Sequence, residues 1–184
     1  MMKRKKFLLL ALILSVVSLC GLVLVSASTT LKVGASPTPH AAILEEIKPL
    51  LAKEGITLKI IEFQDYVQPN LALAEGELDA NFFQHVPYLE EFSQDHRLDL
   101  TYIAKVHIEP MGVYSKKIIS LDQLKNRAVV AVPNDPTNCG RALLLLQRAG
   151  LIELRKEAGI SATEMDIIKN PRSLQVKPLE AAQL

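Results

Sequence analysis

The amino-acid sequence predicts an α/β fold with parallel strands, and two features of the sequence lead to this prediction. From Leu31 onward, short apolar runs of strand length alternate with longer stretches of helical periodicity, which is the pattern of βαβ units. Proline stands near the predicted helix starts and glycine just after the predicted helix ends, which are the positions that each residue favours. The 184 residues are enough for one core or for two small lobes.

Residues 1–27 have the layout of an export signal. Residues 3–6 are all basic, and residues 7–27 form a stretch of 21 residues without a charge, like the n-region and h-region of a secretory leader. Cleavage is expected before Cys20, as in a bacterial lipoprotein that is acylated there, or after Ala27. Leu19 is larger than the residue that usually precedes a lipidated cysteine. An uncleaved membrane anchor stays open, because a helix of this length spans roughly 30 Å.

The composition argues against a nucleic-acid partner. Without the four basic residues of the leader, 17 basic and 20 acidic residues remain, for a net charge of −3. No basic run or aromatic-basic interleaving remains either. Cys139 would be the one cysteine left, and a single thiol cannot form an internal disulfide. Stability is therefore expected to come from packing.

The first part of the mature chain predicts the order β-α-β-α-β-α. Strands are predicted at 31–35, 56–63 and 78–82, and helices at 43–54, 69–75 and 86–95. Thr38 suits the N-cap of the first helix and Pro39 its first helical position. In the second strand, Ile56, Leu58 and Ile60 are predicted to share one face.

A separate α/β unit is predicted after a further strand at 100–106. The segment HIEPMGVYS, residues 107–115, is interpreted as the junction, so that lobe 1 covers 31–108 and lobe 2 covers 109–184. The elements predicted in lobe 2 are a helix at 121–125 capped by Ser120, a strand at 128–132, a helix at 141–149, a short helix at 165–170 and a strand at 174–180. A last helix begins near Glu180 and is not finished, so lobe 2 is expected to be incomplete.

The sequence contains no motif of a common catalytic or metal site. It has no G-x-S-x-G, no H-E-x-x-H, no paired-cysteine spacing, no P-loop and no glycine fingerprint of a nucleotide site. The four histidines, His40, His85, His96 and His107, lie far apart in sequence. Neither a metal nor a cofactor is therefore predicted.

The segment PNDPTNCG, residues 133–140, is predicted to connect a strand to a helix at the carboxyl edge of a sheet, where α/β folds bind ligands. Arg141 would then lie in the first helical turn, where the helix dipole disfavours a cation. A bound carboxylate would resolve this conflict, with Asn138 and backbone N–H groups assisting. A solvated arginine on an exposed face explains the same residue equally well.

The segment LDANFFQHVPYLEEF, residues 78–92, suggests an aromatic pocket with polar tips. Phe82 and Phe83 alternate across a strand, and His85 and Tyr88 follow at the strand-to-helix turn. Tyr66 occupies the equivalent position after the second strand. The same residues could equally form ordinary core packing.

Four segments together resemble the NlpA-type methionine-binding lipoproteins of bacterial methionine ABC importers. The resemblance covers 31–184, and the segments that carry it are LKVGASPTPHAAIL, EFQDYVQPNLALAEGELDANFFQHVPYLEEF, HIEPMGVYS and VPNDPTNCGRALLLLQRAGLI. It implies a type II periplasmic binding-protein fold, in which two α/β lobes enclose a ligand cleft, and no enzymatic activity.

The resemblance also implies roles for individual residues. The methionine side chain would contact Tyr66, Phe83, His85 and Tyr88, and the ligand's carboxylate and backbone would contact Asn138 and Arg141. Cys20 would carry the lipid that anchors the protein in the bacterial cell envelope, facing the periplasm or the cell exterior. Permease and ATPase subunits of an importer would be its partners. Members of the family continue beyond the segment that resembles residues 174–184, so the chain is interpreted as a C-terminally truncated member.

Other interpretations stay open on the sequence. The ligand could be a related amino acid or a methionine-containing dipeptide, and the protein could be soluble in the periplasm. The chain could also be a surface lipoprotein with an interaction role outside transport, or a truncated paralogue that binds nothing. An enzyme is the remaining class, and the absence of a nucleophile-base pair argues against it.

Overall fold

The structure is a computed structural model that describes residues 29–184. Its first sheet has three parallel strands in the order β2-β1-β3, namely β1 (Thr29–Ala35), β2 (Ile56–Glu62) and β3 (Ala80–Phe82). The helices that connect and follow these strands are α1 (Ala42–Lys53), α2 (Gln68–Ala74) and α3 (Val86–His96). The predicted β-α-β-α-β-α order is confirmed. The leader, with both predicted cleavage sites and Cys20, lies outside the described residues.

The core of this part lies between the sheet and α1. Val33, Ala35, Leu58 and Leu44 are buried together, while Thr57 and Lys59 are exposed, so the predicted alternation along β2 is confirmed. A short π-helical turn, Pro37–Ala41, precedes α1. Thr38 is extended within that turn and makes no capping hydrogen bond, so its predicted capping role is wrong.

The second part of the chain contains two small sheets around helix α4 (Pro136–Arg148). Strands β4 (Val129–Pro133) and β7 (Gln175–Leu179) are parallel, and strands β5 (Glu153–Leu154) and β6 (Ile167–Lys169) are antiparallel. The buried core includes Val132, Leu143, Leu146 and Leu174.

Gly140 allows the chain to approach α4 closely on one side of this core. A Cβ atom at Gly140 would lie 1.7 Å from the carbonyl oxygen of Ile160. That distance is far inside van der Waals contact, so only glycine lets the 3₁₀ turn Gly159–Ser161 cover the helix.

Helix α4 begins five residues earlier than the sequence analysis predicts. Pro136 occupies the first turn, and the Asp135 side chain caps the helix by accepting a hydrogen bond from the Asn138 backbone N–H at 2.9 Å. Arg141 therefore lies in the second turn, and the Asp135 carboxylate already occupies the anion-attracting N-terminus. The predicted conflict between Arg141 and the helix dipole does not exist.

No strand forms at 100–106, contrary to the prediction. The residues from 99 to 113 have no regular secondary structure, and Ile103 and Val106 are 92% and 63% exposed. Apolar residues predicted a strand here, but a strand needs a neighbour that pairs with its backbone, and none of the described strands pairs with this segment.

Two short predicted helices also differ from the structure. Ser120 caps its helix as predicted, but that helix is a single 3₁₀ turn, Leu121–Gln123. The helix predicted at 165–170 is wrong: a 3₁₀ turn, Glu164–Asp166, leads directly into β6. The β-branched pair Ile167 and Ile168 favours a strand, and β5 supplies the partner.

No helix within residues 29–184 is long and apolar enough to cross a membrane. Cys139 is a buried free thiol, and burial raises its pKa to about 11. A thiol in this state is a packing residue with little nucleophilic character at neutral pH.

Candidate ligand-binding cleft

A cleft of about 580 Å³ lies at the carboxyl ends of β1 and β3. These two strands are neighbours in the strand order 2-1-3. The connection from β1 to β2 therefore runs to one side of β1, and the connection from β2 to β3 runs back past β1 to its other side. Ligands of open α/β sheets bind at such a switch point. All six ligand-binding residues that the sequence analysis selects line the cleft: Tyr66, Phe83, His85, Tyr88, Asn138 and Arg141.

An aromatic cluster forms one wall of the cleft. The ring centroids of Tyr66, Phe83 and Tyr88 lie 5.7–6.1 Å apart. The Tyr88 hydroxyl donates a hydrogen bond of 2.9 Å to the Tyr66 carbonyl oxygen, and burial raises the Tyr88 pKa, so this donor keeps its proton. Phe83 and Tyr88 are each 6% exposed. They therefore offer a ligand only part of each ring and also serve as core residues with Phe92.

The adjacent phenylalanines lie in different environments, as the alternation along β3 predicts. Phe82 packs against the core between the sheet and α1, whereas Phe83 joins the aromatic cluster with Tyr88. Adjacent residues at the end of β3 therefore contribute to two different structures, the core next to α1 and the aromatic wall of the cleft.

His85 brings an unsatisfied nitrogen to the cleft. Its ring stacks on Tyr88 with 6.5 Å between centroids, and its buried Nε2 has no hydrogen-bond partner among residues 29–184. Burial lowers the His85 pKa, and the nearby positive charge of Arg141 lowers it further. The imidazole is therefore neutral at pH 7, and a ligand with one polar group could satisfy its nitrogen.

Asn138 and Arg141 supply the polar side of the cleft from α4. The Asp135 carboxylate accepts a 3.1 Å hydrogen bond from Asn138 Nδ2, which orients the amide. Asn138 Oδ1 in turn accepts a 2.8 Å hydrogen bond from one terminal nitrogen of the Arg141 guanidinium. The other terminal nitrogen donates a 3.2 Å hydrogen bond to the Glu109 carbonyl oxygen. Arg141 has five N–H donors, so donors remain for an anion in the cleft.

The polar residues before His85 have structural partners of their own. Asn70 is fully buried, and it exchanges two hydrogen bonds of 2.8 Å with the Gln84 amide. Asn81 Nδ2 donates to Asn70 Oδ1 at 2.9 Å. Asn81 and Gln84 also line the cleft. The hydrogen bonds of this amide network already satisfy their polar groups, so no ligand is needed to explain why polar residues occur at these positions.

The structure also brings together three residues that the sequence analysis does not select. His40, His107 and Glu109 line the same cleft, with 5.4 Å between the two imidazole centroids. His40 is buried, whereas His107 and Glu109 are exposed. The sequence carries little signal for this cluster, because His40 lies far from the other two residues along the chain.

The lowered His85 pKa predicts a pH effect on stability. In the unfolded chain His85 takes up a proton near pH 6.5, whereas the folded protein resists it. The free energy of unfolding therefore falls as the pH decreases below about 6.5. Thermal melts from pH 8 to pH 5 should show this loss in the wild type and a smaller loss in His85→Gln. Equal curves for the wild type and His85→Gln would contradict the prediction.

Comparison with known proteins gives consistent matches. The family described as NlpA lipoprotein matches residues 31–184. A curated relative, the D-methionine-binding lipoprotein MetQ of Salmonella typhimurium, is 49% identical over 141 residues, which are 76% of this chain and 52% of the relative. The chain thus spans about half the length of the curated relatives that it matches first.

Solved structures match over a similar range. A lipoprotein from Ruminococcus gnavus superposes with a TM-score of 0.80 and 50% identity, covering 84% of this chain and 64% of that one. A nutrient binding protein from Burkholderia cenocepacia, solved bound to methionine, superposes with a TM-score of 0.78 and 46% identity. That match covers 83% of this chain and 65% of the other.

Proposed function

Because the chain belongs to the NlpA lipoprotein family and has the type II periplasmic binding-protein fold of its structural neighbours, we propose that it binds methionine outside the cytoplasmic membrane. The bound amino acid would be delivered to the permease and ATPase subunits of an ABC importer. No bond is made or broken in this function.

The single observation that carries the proposal is the composition of the cleft. One wall is aromatic, from Tyr66, Phe83 and Tyr88, and Asn138 and Arg141 add polar groups to the same cleft. A volume of about 580 Å³ is within the range of small-molecule sites. An amino acid with an apolar, polarisable side chain matches both sides at once.

The two ends of methionine find different partners in this arrangement. The thioether would rest against the aromatic rings, a contact worth about 0.3–1.5 kcal/mol. The carboxylate would accept charge-assisted hydrogen bonds from the Arg141 guanidinium, whose position is fixed by Asn138 and Glu109. The unsatisfied Nε2 of His85 could bond to a polar group of the ligand.

We also propose that the lobes divide between residues 108 and 109. Each buried cluster is assembled from one side of this boundary: two clusters use residues from 31 to 98, and the third uses residues from 111 to 176. The aromatic wall then belongs to lobe 1 and the polar side to lobe 2. A ligand between them would contact both lobes, as a clamp requires.

A lipid anchor at Cys20 follows from the same family membership as a proposal, since the relatives are named lipoproteins. The anchor would hold the protein at the bacterial cell envelope, facing the periplasm or the cell exterior. Binding and release of methionine would then take place close to the membrane that contains the permease.

A calorimetric titration tests the proposal. The purified 184-residue chain in mild detergent is titrated separately with L-methionine, D-methionine and L-alanine, and each mixture is also melted. We expect saturable binding of methionine, a raised melting temperature because ligand binds the folded state, and no response to alanine, which lacks the thioether. A cooperative melt that neither methionine enantiomer shifts would refute methionine binding and favour a lipoprotein with another role.

A further inference from the structure

We propose that His40, His107 and Glu109 form a binding site for a transition-metal ion, with Zn²⁺ the best match. His40 lies in the turn after β1, and the other two residues lie in the irregular segment that joins the two parts of the chain. The candidate ligand atoms of the three residues all lie within 4.8 Å of one another. This inference does not depend on the proposed transport function.

The distances are close to those around a metal ion. Glu109 Oε1 lies 3.0 Å from His107 Nε2 and 3.5 Å from His40 Nε2. Two ligands that each lie about 2.0–2.2 Å from a tetrahedral zinc ion are separated by about 3.3–3.6 Å. His107 is on the exposed side of the cluster, so a small rotation of its side chain can complete the ligand set without disturbing the core.

His40 has the support that a metal-binding histidine needs. It is buried, and its Nδ1 lies 2.7 Å from Ser36 Oγ, which is also buried. If Nδ1 donates its proton to Ser36, Nε2 is left unprotonated and directed toward Glu109. A hydrogen bond of this kind from the second ring nitrogen fixes the tautomer and the ring orientation of metal ligands.

Phe82 contacts both imidazoles. Its ring packs edge-to-face against His40 at 4.7 Å and against His107 at 5.5 Å between centroids. The two candidate ligands thus pack on the same aromatic ring, although they come from separate segments. This arrangement reduces the entropy that a metal ion would otherwise have to overcome to collect its ligands.

The ligand set selects the class of ion. Two imidazole nitrogens and one carboxylate suit Zn²⁺ and neighbouring first-row ions, whereas Ca²⁺ and Mg²⁺ require mostly oxygen ligands. A three-residue site leaves a further coordination position for water or another ligand, and the three residues line the cleft. The ion would also tie the irregular segment to the end of β1.

Titration with the metal alone tests the proposal. The tag-free 184-residue chain in mild detergent is first treated with a chelator, then titrated with Zn²⁺ by calorimetry and with Co²⁺ by visible absorption. We expect one Zn²⁺ per chain, a raised melting temperature, and a Co²⁺ spectrum typical of nitrogen and oxygen ligands in low coordination. Saturation at one equivalent separates a defined site from scattered surface binding.

Three variants locate the site. His107→Asn should weaken Zn²⁺ binding by at least about tenfold, and Ser36→Ala, which leaves all three ligands intact, by about 10–100-fold. His96→Asn changes a histidine outside the cluster and should keep the wild-type affinity. The proposal is overturned if the wild type binds no Zn²⁺, or if His107→Asn and His96→Asn bind Zn²⁺ equally well.

Discussion

Replacing Arg141 with alanine is expected to weaken methionine binding by one to two orders of magnitude. The guanidinium provides the positive charge on the polar side of the cleft, and a hydrogen bond to a charged partner contributes about 1.5–3 kcal/mol. Since about 1.4 kcal/mol corresponds to a factor of ten in affinity, the loss should be plain in a calorimetric titration. A ligand whose carboxylate is left without this partner also loses its orientation against the aromatic wall.

The fold should tolerate this substitution. Arg141 is half-buried and lines the cleft, so water that fills the vacated space can replace it as donor to Asn138 Oδ1 and the Glu109 carbonyl oxygen. A melt of Arg141→Ala without ligand is therefore expected to stay close to that of the wild type. The loss of affinity could then be attributed to the site.

Two further variants make the measurement specific. Arg148→Ala removes an arginine from the exposed end of the same helix and should leave methionine affinity unchanged. Arg141→Lys keeps the charge without the planar fork, so it should recover only part of the affinity. Wild-type affinity in Arg141→Ala would show that the carboxylate is held elsewhere and would remove the central contact of the proposed site.

Local sequence signals predicted the first sheet well because its elements depend on nearby residues. The alternation around Leu58 defines β2, and Pro69 and Pro87 mark the starts of α2 and α3. The sequence does contain a signal for the true start of α4. Asp135 followed by Pro136 is a favoured N-cap and first helical residue, and that pair predicts the true start.

Features that depend on distant partners could not be predicted from the sequence. The residues at 100–106 alternate like a strand, yet only a neighbouring strand can give their backbone hydrogen bonds a partner. The closeness of His40 to Glu109 likewise follows from the folded chain, not from spacing. The resemblance selected the six cleft residues, and the structure brings all six to one cleft, but their contacts with a ligand remain a prediction.

Helix α4 connects the core of the second part to the cleft. One face of it, with Leu143 and Leu146, is buried against β4 and its neighbours. The other face carries Asn138 and Arg141, which line the cleft. The packing of the apolar face therefore sets the position of the polar side chains, so a core substitution should affect both stability and binding.

Leu143→Ala is accordingly expected to lower the free energy of unfolding by about 2–5 kcal/mol, the usual cost of deleting a buried leucine side chain and leaving a cavity. Leu143 is fully buried at the centre of this cluster. Denaturant unfolding followed by circular dichroism measures the change, which should appear as a lower midpoint. Leu145→Ala, on the same helix at a half-buried position outside the cluster, should cost clearly less.

The comparison of the two leucine variants tests whether α4 is held by its core. If Leu145→Ala were as destabilising as Leu143→Ala, the helix would depend on its whole surface and not on the buried cluster, and the structural account of the second part would be wrong. Leu143→Ala could instead be the only variant of the two that lowers stability, and the folded variant could also bind methionine more weakly. The packing of the second core would then be shown to position the side chains of α4 that line the cleft.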